Sequence, residues 1–168
     1  MTPNAATRQR LAFMSRIVDK EVRLLLDTRR RLFTPDMNAQ RLQALESDPV
    51  LADRIEAFVS RFGRLQDTVG DKLLPLTLAA LGEKVGPFAD NLDRAERLGW
   101  IASSDAWFAM RALRNQMVHE YVEDPQLLWQ AIVAGSQFTD DLVRAALALI
   151  DEGRRRGWLD ANPPGPAV

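Results

Sequence analysis

The single histidine of this chain lies in Arg114-Asn115-Gln116-Met117-Val118-His119-Glu120-Tyr121. Within two helical turns that segment joins a permanent cation, a carboxamide, an imidazole and a phenol. Such a set suits a charged phosphate ester. Cleaving RNA without metal requires a base for the 2′-hydroxyl, an acid for the departing 5′-oxygen and cations for the phosphorane. One imidazole per chain cannot serve as base and acid together, so a two-fold dimer, with two copies of His119 and Arg114 in one cleft, answers the shortfall.

The segment closes a helix read over 104–121, opened by Ser103 or Ser104. At about 100° per residue, Trp107, Met110, Leu113, Met117 and Val118 define its apolar face. Arg114 and Tyr121 fall inside that face, while Asn115 and His119 share a flank with Phe108 and Arg111. Arg114 and His119 are thereby separated by about 140° around the axis, which again points to a site completed by a second molecule. On spacing alone another reading stands beside this one, with Arg114 a structural ion-pair former and His119 a satisfied boundary residue.

The elements that must hold the segment are helical throughout. Helices are read near 7–33, 36–46, 49–82, 88–98, 104–121 and 126–155. Their starts are marked by a side-chain acceptor followed by proline at Thr2-Pro3, Thr34-Pro35, Asp48-Pro49 and Asp124-Pro125, and by Gly86-Pro87. The third carries a narrow stripe of Leu51, Ile55, Phe58, Phe62, Leu65, Val69, Leu73 and Leu76, with a kink expected at Pro75. The first offers Leu11, Met14, Val18, Val22 and Leu25, and the last Leu128, Ile132, Gly135, Phe138, Leu142, Ala145 and Leu149. No segment alternates like a strand. The expectation is an all-α antiparallel bundle of four to six helices, one domain over 1–161, with a disordered tail at 162–168.

Composition narrows the chemistry. The 168 residues include no cysteine, which excludes disulfides, zinc–thiolate centres and thiol nucleophiles. No metal-ligand cluster is apparent in the sequence and no cofactor is expected. The charged early residues do not follow a signal-peptide plan, and no apolar run is long enough to span a bilayer, so a cytoplasmic protein without a membrane partner is expected. The net charge of −1 conceals a basic first helix and the triplets Arg29-Arg30-Arg31 and Arg154-Arg155-Arg156. Both triplets close helices, where cations complement the dipole, and this is preferred to a grip on RNA. Gly135-Ser136 before Asp140-Asp141 lacks the spacing and strands of a nucleotidyltransferase fingerprint.

The octapeptide resembles the signature of the HEPN superfamily, and its Arg-Asn-x-x-x-His-x-Tyr form is similar to HepT-like proteins that accompany minimal nucleotidyltransferases. The similarity takes in Arg61-Phe62, Lys72-Leu73, Gly99-Trp100-Ile101 and Asp105-Ala106-Trp107, covering roughly 55–132. It implies a small, usually dimeric bundle acting as a metal-independent endoribonuclease toxin, neutralised by a partner nucleotidyltransferase. It also implies that Arg114, Asn115 and His119 are catalytic and that Tyr121 accepts AMP from the partner. Two features depart from the family. Gly63 stands where an acidic residue often follows the Arg-Phe pair, and the basic first helix and 34–47 connection are peculiar to this chain. Asp67 could substitute for that acid, but it projects opposite the apolar stripe and is left outside the site. The competing function is a non-catalytic helical partner that presents substrate to a nucleotidyltransferase.

Overall fold

The structure, a computed structural model, describes residues 2–120 and 124–160, with Glu120 as backbone alone. Among these every regular element is a helix, as the apolar periodicity requires. The long elements are α1 (Ala5–Leu32), α3 (Pro49–Thr68), α6 (Ser104–Glu120) and α7 (Pro125–Arg155); α2 (Ala39–Leu42), α4 (Leu74–Ala80) and α5 (Phe88–Arg97) are shorter. Antiparallel α1 and α3 are tied by Arg61 donating to the Thr28 hydroxyl and by Thr68 donating to Glu21 at 3.1 Å. Beside them, α7 joins α1 where Arg29 donates to the Ser136 carbonyl at 3.0 Å and meets Asp140 at 2.9 Å. Phe58, Phe62, Ile55 and Leu65 of α3 have no solvent exposure and form the centre of the core. Gly135 lets α7 approach that centre, since a Cβ there would lie 3.2 Å from Phe58 and 3.3 Å from Met117. No described helix is long and apolar enough to cross a membrane.

The capping signals succeed where the side chain directly precedes the helix. Asp48 accepts from the Leu51 amide and Asp124 from the amides of Gln126 and Leu127, each ahead of a proline. Two others are corrected. Asn4, rather than Thr2, caps α1 by accepting from Thr7 at 2.8 Å. Thr34 donates to Asp36 at 2.6 Å, Asn38 caps the short α2, and the expected 36–46 helix is reduced to α2 and a 3₁₀ turn at Leu45–Ser47. In each case a nearby asparagine in extended conformation offers a better-placed acceptor. At 86–91 the Asn91 side chain both accepts from and donates to the Gly86 backbone, fixing the entry to α5.

The helix read over 49–82 is interrupted. One π-helical turn at Val69–Leu73 separates α3 from α4 immediately before Pro75. Proline donates no amide and its ring crowds the carbonyl four residues back, and a widened turn relieves that conflict. The extra residue rotates everything after it. The stripe is buried through Leu73, but Leu76 is only partly buried, and Leu74, Thr77 and Leu78 face the core instead. Met14 and Phe138 are likewise at the core edge.

Candidate functional site

Ser103 begins α6, its hydroxyl accepting from the Ala106 amide at 3.1 Å. Gly99 adopts φ +79 just after α5, and the Trp100 amide reaches back to the Ala95 carbonyl at 2.9 Å, which turns the chain toward α6. Trp107, Met110, Leu113 and Met117 are buried against the bundle as their spacing requires. Val118 is a correction: placed on the apolar face by its spacing, it is 56% exposed. It lies at the edge of the stripe, and near its C-terminal end α6 leaves that edge uncovered.

Arg114 is neither free nor fully buried. Its side chain, 34% exposed, crosses to α3 and meets Asp67 at 2.6 Å. The guanidinium stem lies directly over Gly63, where a Cβ would come within 2.5 Å of Nε. Glycine at this position is therefore a seat for the arginine, and Asp67, one turn later, supplies the carboxylate that holds its far end. Asp67 is the ion-pair partner of Arg114. It does project away from the core stripe, but a long guanidinium reaches round the flank to it. One turn N-terminal, Arg111 makes the same kind of bridge to Asp71 at 2.7 Å. Buried Gln66 completes the α3–α6 attachment, donating to the Met110 carbonyl at 3.3 Å.

Asn115 and His119 are exposed on the flank of α6 shared with Phe108. Arg114 is thus drawn to α3 while the imidazole faces outward, in line with the angular separation in the sequence. Tyr121, the expected AMP acceptor, lies outside the described residues. So do residues 161–168, including the expected tail. Among the described residues no group of three or more His, Asp or Glu side chains is arranged to hold a metal ion.

Asp67 also belongs to a charged cluster between α1 and α3. There burial raises the pKa of Glu21, opposed by the Thr68 hydroxyl and the charges of Arg64 and Lys72 and reinforced by Asp67. The arginine triplets are engaged elsewhere. Arg30 and Arg31 pair with Asp27, Arg154 with Asp151, and Arg155 and Arg156 with Glu152. Those pairings accord with the structural role preferred for the triplets. Arg61 of the Arg-Phe pair is similarly structural, bound to Thr28. Compared with protein-family models, curated proteins and solved structures, the chain matches none.

Proposed function

We propose that this protein is a HEPN-type toxin, a metal-independent endoribonuclease acting on RNA and held in check by a partner nucleotidyltransferase. The observation that carries the reading is the division of labour on α6. Arg114 is oriented by Asp67 at 2.6 Å over Gly63, while Asn115 and His119 are exposed on the adjoining flank. An oriented guanidinium suits a developing phosphorane charge, and an exposed imidazole suits proton transfer. In this reading two protomers pair near α6 so that two imidazoles serve as base and acid, and Tyr121 is the residue to which the partner adds AMP.

The second reading is a non-catalytic partner that presents substrate to a nucleotidyltransferase. It is favoured by the same ion pair, because a guanidinium already engaged by a carboxylate is less available to a transition state. One experiment separates the two. The first reading expects the purified chain to cleave RNA in EDTA, leaving a 2′,3′-cyclic phosphate. It also expects His119→Ala to abolish cleavage while preserving the helical circular dichroism spectrum. No cleavage by the wild-type chain, together with harmless expression in the absence of the partner, would establish the second.

A further inference from the structure

The N-terminal half of α6 carries an aromatic and guanidinium surface that the reaction above does not use. Phe108 is 43% exposed. Its ring is held edge-on against Phe88 of α5, with centroids 5.8 Å apart and planes at 88°. Arg111, the next flank residue, lays its guanidinium over the Phe88 ring, 3.7 Å from the centroid, and is anchored by Asp71 at 2.7 Å. The π-turn makes this arrangement possible. It carries Asp71, and it carries Gly70, at which a Cβ would stand 3.0 Å from Phe88. Two planar groups are therefore fixed in orientation by packing, one of them still substantially open.

Their position relative to the Arg-to-His segment gives them a use. Phe108, Arg111, Asn115 and His119 follow one flank at spacings of three and four residues. At the helical rise, Arg111 stands about 6 Å along the axis from Asn115 and about 12 Å from His119. That is the scale of neighbouring nucleotides on a strand, not of one nucleotide. Single-stranded RNA is bound by stacking splayed bases on aromatic rings and arginine planes, a contact that tolerates sequence because every base has a π-face.

We propose that Phe108 and Arg111 form a docking site for an unpaired nucleobase of single-stranded RNA, beside the nucleotide held at Arg114 and His119. The site rests on the RNA-acting reading above and narrows its substrate to unpaired strands. Base-paired RNA keeps its bases stacked within the helix and has none to offer it.

The test uses the full chain and a fluorescein-labelled 2′-O-methyl oligonucleotide, which lacks the 2′-hydroxyl needed for cleavage. It is presented single-stranded, annealed to its complement, or with abasic positions. Wild-type protein is expected to prefer the single strand. Phe108→Ala is expected to weaken that binding about tenfold, Phe108→Tyr to restore it, and neither to alter binding of the abasic strand. Arg111→Lys keeps the charge beside Asp71 but loses the plane, and is expected to weaken base-dependent binding as well. Equal affinity of wild type and Phe108→Ala for the single strand overturns the docking site while leaving the RNA-acting reading intact. So does a Phe108→Ala effect accompanied by dissociation of a dimer in sedimentation, which would make Phe108 a subunit contact. Wild-type protein that binds none of the three oligonucleotides overturns both.

Discussion

A single missing Cβ determines where the one arginine of the His119 segment points. The Arg114 stem occupies the space a side chain at 63 would need, and Asp67 fixes its far end. The bridge is about one-third exposed, so its direct contribution to stability is under about 1 kcal/mol; its value lies in orientation. Gly63→Ala therefore separates fold from function. Alanine is the better helix former by up to about 1 kcal/mol, so the melting temperature is expected to hold or rise. The new methyl pushes the guanidinium from Asp67, and RNA cleavage is expected to fall about tenfold. Unchanged activity in a single-turnover assay would show that this seating is dispensable. Arg114, Asn115 and His119 were legible in the sequence because their chemistry and spacing stand out along a line. The pairing of Arg114 with Asp67 was not, because helical periodicity identifies the centre of a buried stripe and is silent on how far an arginine reaches from its edge.

Elements were legible to the extent that their determinants are local. Asp48-Pro49 and Asp124-Pro125 start helices where expected because cap and proline act within one turn. The π-turn at Val69–Leu73 was not read, since Pro75 announces a disturbance without specifying its form. Its consequences reach the candidate site by presenting Asp71 to Arg111 and Gly70 to Phe88. The α1–α3 pairing places Glu21 partly out of solvent, and burial raises its pKa against the opposing Thr68 hydrogen bond and the Arg64 and Lys72 charges. A carboxyl that binds its proton more tightly folded than unfolded lowers stability as pH rises. Glu21→Gln is thus expected to stabilise the chain at pH 8. That advantage should shrink as pH falls through the raised folded value and disappear below the ordinary carboxylate range, about 4.3. Urea denaturation at several pH values checks this; a gain that grows toward acid pH would contradict the assignment.

At the scale of the whole molecule, the outward placement of His119 and the inward draw of Arg114 leave the chain with one imidazole on an open flank. A composite site makes a specific demand. Wild-type chain unfolded and refolded with an equal amount of His119→Ala chain is expected to keep about one-quarter of its RNA cleavage rather than half, because a mixed dimer holds a single imidazole, and sedimentation should give a dimer at micromolar concentration. A strict monomer, or a loss in simple proportion to the wild-type fraction, would remove the shared cleft. The all-helical character of the bundle followed from the sequence alone, as did its apolar faces and the angular separation of Arg114 from His119. Those depend on hydrogen bonding and burial that repeat with the helical period. The tertiary structure decided the partner of Arg114, the purpose of Gly63 and the aromatic surface at Phe108, because each joins residues tens of positions apart whose meeting depends on how helices cross. It also decided the shift of the buried face from Leu76 to Thr77 and Leu78, where a local widening of the backbone rephased the helix that follows.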